Sequence, residues 1–476
     1  MLARVSEDDP EGSAGSRKRW LAVKLGAALL GLGTLGFGLY AGMVMLPRAT
    51  GYAAKIGCTA VFVSGLEPAR VLKEELAAVG FVDVEFDHDT QTTRAAVVGL
   101  AEQRATHRRG VGCTLVRDGL PLELDLAPVA APDDDRAWPA GDAPDTRDDP
   151  SGLDRAALDA ALDAAIGEPD PAAPRRTRAV VVVYDGRLIA ERYAEGFDAS
   201  TPLPGWSMAK SVTNALIGLL VGRGELELDG PAPVPEWRED PDDPRAAITI
   251  SQLLRMSSGL AFEERYGPFG TGSDMLFVHE SCAELAVNQP LIASPGTRYA
   301  YSSGTANILA RIVRSRFEDP GAQLRFAQRE LFEPLGIRSA VLELDPSGVF
   351  IGSSFALMSA RDWARLGQLY LYDGVWNGRQ LLPAGWVEYT RAPAPAAPRG
   401  EYGALVQTNA GAPGQPEDRR LPSLPTDAFE MVGYEGQSVL IVPSRRAVIV
   451  RLGLTRGPAQ WDTDRFGASV LASLPG

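Results

Sequence analysis

The chain predicts an α+β fold in which one antiparallel sheet is assembled from both ends of a large domain around a helical block. Three observations lead there. Residues 179–184 and 188–193 are β-rich runs flanking Asp185-Gly186, a two-residue hairpin signal. Residues 437–442 and 447–452 repeat the pattern around Pro443-Ser444-Arg445-Arg446 near the other end. Between them, segments near 207–222, 249–257, 302–316, 322–333 and 359–372 read as helices separated by Pro/Gly-rich turns.

In chain order, residues 1–24 form a basic segment carrying Arg17, Lys18, Arg19 and Lys24. Residues 25–46 hold no charge and would span about 33 Å as a helix, enough for a bilayer core of about 30 Å. The segment is longer than a usual signal-peptide core, and no clear small-x-small site closes it. The expectation is an uncleaved, single-pass transmembrane anchor with its basic flank in the cytoplasm, so that everything after Pro47 faces outward. Residues 51–126 read as a small α+β module: strand at 59–63, helix at 68–79, strands at 82–86 and 113–116. It has no catalytic residues of its own. In an outward-facing chain Cys58 and Cys113 can form a disulfide worth about 4 kcal/mol in the chain-entropy model, or stay as two buried thiols. Cys282 is left as a small core residue. Residues 127–150, rich in Asp, Pro and Ala, read as a linker. The large domain, 151–476, opens with an amphipathic helix bearing Leu153, Leu158, Leu162 and Ile166, and 462–473 can close it as a helix.

Composition narrows the function. With 476 residues and 45% hydrophobic content there is room for two or three domains with a real core. A net charge of −14 argues against nucleic acid as a partner, because a phosphate backbone needs a basic face. His88, His107 and His279 are scattered and make no metal-ligand pair. His279 is also the single histidine after Ser207, which disfavours an α/β-hydrolase triad. No metal or organic cofactor is implied.

The lysines carry the chemistry. Beyond Lys73 the chain has one, Lys210, three residues after a serine in Ser207-Met208-Ala209-Lys210-Ser211. Arginine stays protonated, whereas a desolvated lysine can act as a base. On a helix, i and i+3 share a face, so the Lys210 amine can reach the Ser207 hydroxyl, and a helix N-terminus favours an oxyanion. Ser-x-x-Lys is thus a nucleophile-and-base pair. Tyr301-Ser302-Ser303 follows Pro295-Gly296 and opens a helix. Tyr301 can take the serine's proton and pass it to the leaving group. At Gly433-Tyr434-Glu435-Gly436-Gln437, glycines flank the start of a strand whose backbone N–H can face a carbonyl oxygen; read without chemistry it is a bulged strand start.

In this order the three points resemble the serine β-lactamase and penicillin-binding-protein superfamily, in its class C β-lactamase-like branch of esterases and 6-aminohexanoate-dimer hydrolases. The resemblance covers about 150–476 and implies a β-lactamase-like fold. It makes Ser207 the nucleophile, Lys210 its base and Tyr301 the general acid/base, with Ser303 in the second box. It also puts the Gln437 N–H beside that of Ser207 in the oxyanion hole, after Tyr434 and Gly436 of the third box. Two departures stand out. The third box has Tyr434-Glu435 where relatives place a lysine or histidine for a substrate carboxylate, and an acid there should repel one. Ser303 stands where many relatives carry asparagine. Both point away from β-lactams and toward esters or small amides, with Tyr266 lining the acyl pocket as in amide-hydrolysing relatives. The expectation is a membrane-anchored serine hydrolase of small-molecule esters or amides working through an acyl-enzyme. The alternatives are D,D-peptidase or β-lactamase-type activity, or a tethered binding protein that has lost turnover.

Overall fold

The computed structural model describes residues 11–117, 124, 126–127, 129, 136–143, 145–457 and 461–476. Its centre is a six-stranded antiparallel sheet in the order Gln407–Thr408, Phe429–Gly433, Gln437–Val442, Ala447–Gly453, Thr177–Tyr184, Arg187–Tyr193. The two ends of the domain meet where Val183 pairs with Val448 and Val181 with Val450. Thr177–Tyr184 is buried at every position because both faces are covered. Val181 and Val183 join the core beneath the helical block, while Val180 and Val182 join a second core under helices Arg155–Ile166 and Thr463–Ser473. Asp185 and Gly186 take positive φ (48° and 76°), as the two-residue turn requires.

The N-terminal region departs from expectation. Helix Glu11–Cys58 is continuous, and residues 59–63, expected as a strand, extend it by a wider turn in which Ser64 N–H bonds Thr59 O. Tertiary contacts override the β propensity of Thr-Ala-Val-Phe-Val: Ala53, Ala54, Ile56 and Ala60 lie in the core, and Thr59 Oγ1 donates to Glu343 at 2.9 Å. The helix expected at 68–79 ends at Lys73, and the residues after it make only a single turn, Ala77–Val79. The module's sheet has four strands rather than three at most, Asp83–Asp87, Thr92–Val97, Leu100–Arg108 and Gly112–Leu115, in sequential antiparallel order. Cys58 and Cys113 are disulfide-bonded, with a Cα–Cα distance of 6.0 Å, and Cys282 is a buried free thiol.

Among the described residues, no helix is long and apolar enough to cross a membrane. The expected span at 25–46 therefore gains no support from the structure, and the side chains of 26–35, 37, 39 and 41 within it lie outside the described residues. The expected linker is not bare either. Trp138 is fully enclosed, and Arg365 donates to Gly141 O at 2.8 Å and pairs with Asp142 at 2.6 Å, so polar contacts dock 136–143 where apolar content is short.

Candidate active site

Ser207 sits in a single turn, Trp206–Met208, that feeds helix Ala209–Gly222. The turn is tight. Trp206 adopts φ +49°, and a Cβ at Gly205 would lie 2.3 Å from the Trp363 ring, so no side chain fits there. One helical turn on, Lys210 is buried, and its three N–H donors meet three oxygens at 3.0 Å each: Ser207 Oγ, Ser303 Oγ and Ser353 O. The third acceptor, a backbone carbonyl, ties the amine to the loop that carries Ser353. Ser353 is itself held by Asn307 Oδ1, which accepts from its N–H at 3.1 Å.

The second box starts helix Ser303–Arg314, capped by Ser302 Oγ accepting from Thr305 N–H at 3.0 Å. Ser303 is thereby turned inward onto Lys210. The Tyr301 ring lies beside the same amine, 4.8 Å from Nζ to ring centre, and is packed edge-on against Tyr402.

A carboxylate that the sequence reading missed completes this cluster. Glu264 accepts from Ser303 Oγ at 2.6 Å and from Ser303 N–H at 2.7 Å. Tyr266 donates to the same carboxylate at 2.9 Å and also reaches Ser303 Oγ at 3.0 Å. The Tyr266 ring is about half exposed while its hydroxyl is enclosed, and burial, then the Glu264 charge, push its pKa well above the usual tyrosine value. The candidates Ser207, Lys210, Tyr301, Ser303 and Tyr266 thus converge. Glu264 gave little signal, because Glu263-Glu264-Arg265 reads as a solvated loop.

The third box is split by the structure. Strand Phe429–Gly433 abuts the turn that carries Ser207: a Cβ on Gly433 would lie 2.0 Å from Gly205 O. Tyr434, the next residue, is 62% exposed and sets its ring edge-on to Trp206. Gln437 pairs with Gly433 across the hairpin, and its buried amide is engaged with Gly453 on the strand at its other side. Gly436 turns toward Arg451, whose Nη1 donates to Gly436 O at 3.1 Å. Glu435 differs from expectation. It points inward at φ +65°, accepts from Trp206 Nε1 at 2.8 Å and forms an ion pair with Arg456. Burial raises its pKa against the opposing pull of Arg456. Its charge is spent inside, and the acid that faces the cluster is Glu264.

The family model for Beta-lactamase matches residues 162–471. The chain belongs to that family. It is 24% identical over 231 residues to the 6-aminohexanoate-dimer hydrolase of Paenarthrobacter ureafaciens, covering 44% of this chain. The match spans 56% of that relative, just over half its length. In fold it is similar to a penicillin-binding protein homolog from Caulobacter crescentus (TM-score 0.51, 18% identity, 67% of this chain and 97% of the other). It is likewise similar to EstCE1, a hydrolase with promiscuous acyltransferase activity (TM-score 0.51, 15% identity, 67% and 98%).

Proposed function

We propose that the enzyme cleaves carboxylic esters or small amides through an acyl-enzyme on Ser207. The observation that carries this reading is the Lys210 amine, buried and within 3.0 Å of both Ser207 Oγ and Ser303 Oγ. Ser207 attacks the carbonyl, Lys210 and Tyr301 take its proton and deliver it to the leaving group, and water activated by the same groups releases the acid. The Ser207 N–H supplies one oxyanion donor. For the second donor, the family pattern offers the Gln437 N–H, and the close approach of Gly433 to Gly205 supports the neighbouring Tyr434 N–H as the alternative.

Glu264 and Tyr266 support a preference for substrates without a carboxylate near the scissile bond. The name of the Paenarthrobacter relative, a 6-aminohexanoate-dimer hydrolase, supports an amide of a linear amino acid as a second substrate class. We also infer that the N-terminal helix tethers the chain to a membrane with the hydrolase on the extracytoplasmic side. The uncharged 25–46 stretch after four basic residues, the exposed Tyr40 and Met43, and the Cys58–Cys113 disulfide support this. The test of the chemistry is hydrolysis of a short-chain p-nitrophenyl ester by the full chain beside Ser207→Ala. Turnover abolished by the alanine is expected, and turnover that survives it contradicts the reading. Extraction of the tethered protein by detergent but not by alkaline carbonate is the corresponding result for the anchor; release by carbonate contradicts it.

A further inference from the structure

The N-terminal module lies outside the matched residues 162–471, yet two chains of contacts run from one face of its helix to the catalytic cluster. Tyr52 and Lys55 stand three residues apart on helix Glu11–Cys58, so they share that face. The Tyr52 hydroxyl accepts from Arg456 Nη2 at 3.1 Å, and Arg456 is ion-paired to Glu435. Glu435 in turn holds the Trp206 indole, and Trp206, strained at positive φ, is the residue before Ser207. Arg456 is further fixed by the module's backbone, donating to Glu74 O at 3.1 Å and Glu75 O at 2.8 Å.

Lys55 starts the second chain. It is fully buried and pairs with the equally buried Glu343 at 2.8 Å, and Glu343 also accepts from Thr59 Oγ1 and, at 2.7 Å, from Cys113 N–H. The disulfide therefore fixes one ligand of Glu343. Glu343 opens the 343–355 loop: its N–H bonds Phe355 O at 3.0 Å, and its carbonyl accepts from Ile351 N–H at 2.9 Å. That loop carries Ser353 O, which binds Lys210. Phe355 sits 4.5 Å from Lys55 Nζ to ring centre on one side and 5.7 Å from the Trp206 ring centre on the other, which links the two chains.

We propose that the N-terminal module is a positioning element for the Ser207–Lys210 pair, with Tyr52 and Lys55 as its positioning residues. The proposal rests on the Ser207 reading above. Small displacements of a nucleophile are costly, and the carbonyl of a single loop residue fixes the Lys210 amine from one side.

The test uses the full chain with Tyr52→Phe, which removes one hydroxyl and keeps the ring on Phe277. Two rates are read, ester turnover and covalent labelling of Ser207 by a fluorophosphonate. We expect both kcat and the labelling rate to fall about tenfold with KM and the melting temperature little changed. Glu435→Gln should fall at least as far, and the double variant no further than the worse single, because both act through one chain. Arg456→Lys, which keeps a cation near Glu435 without the guanidinium's reach, serves if Glu435→Gln does not fold. Wild-type rates in Tyr52→Phe, or multiplied effects in the double variant, overturn the proposal. A wild type that labels at Ser207 but turns over no ester defeats the substrate reading alone, and the labelling rates still decide the positioning role. A wild type that never labels removes both.

Discussion

The floor and the rim of the cleft are built differently. On the floor, Lys210, Ser303 and Ser353 are buried, and the amine's three donors are all matched by fixed oxygens. On the rim, Tyr266 and Tyr434 are 48% and 62% exposed, on a loop and a hairpin tip. On the proposed reading the floor fixes the proton chemistry, and the rim decides which acyl group reaches it. In the floor a lost partner leaves a buried polar group unsatisfied, so changes there should be severe. Rim changes should redistribute substrates at modest cost.

The largest effect expected is for Ser207→Ala, a loss of about 10⁴-fold or more in kcat/KM with folding intact by circular dichroism. A Tyr301→Phe change should follow at about 10²-fold, as for removal of one general acid/base, and steady-state kinetics would show it mainly in kcat. If Tyr301→Phe kept full activity, the floor would work through Ser303 instead, and the tyrosine would be a wall.

Rim variants sharpen the contrast. Glu264→Gln should cost about tenfold or less on neutral esters while improving relative kcat/KM for esters carrying a free carboxylate, measured as a ratio between matched substrates. An unchanged ratio would mean that Glu264 only orients Ser303. The smallest effect concerns stability. Asp345, on the 343–355 loop, is pushed up to about 6 by burial, against bonds from Ser347, Cys282 N–H and Val349 N–H. Because the folded value lies above the unfolded one, near 3.8, its stabilising contribution is complete below about pH 4 and is lost as pH rises through about 6. The melting temperature of the wild type should fall by several degrees across that window relative to Asp345→Asn, and parallel curves for the two would contradict the assignment.

The same contrast explains what the sequence could convey. The floor was legible because its chemistry is local: Ser207 and Lys210 lie on one helical turn, and Tyr301 and Ser303 flank the cap of a second helix. The central sheet was legible because two hairpin signals mark its ends. The rim was not. Glu264 reaches Ser303 only through the folding of a polar loop, and Glu435, expected to face a substrate, is drawn inward by Arg456, distant in the pattern but adjacent in space. The strand expected at 59–63 failed for a related reason: a β-branched run was captured by the core and by Glu343, neither visible locally. The role of the Gln437 N–H followed from the family pattern alone; in the structure Gln437 pairs with Gly433, and it is the side-chain amide that engages Gly453.

The central claim, an acyl-enzyme on Ser207, is tested most directly by intact-mass analysis of the full chain quenched during turnover of a p-nitrophenyl ester. A mass increase equal to the acyl group, mapped to the peptide holding Ser207 and absent from Ser207→Ala, is the predicted result. Turnover without any adduct on the wild type, under conditions where deacylation is slowed by low pH, or an adduct that persists in Ser207→Ala, would contradict it.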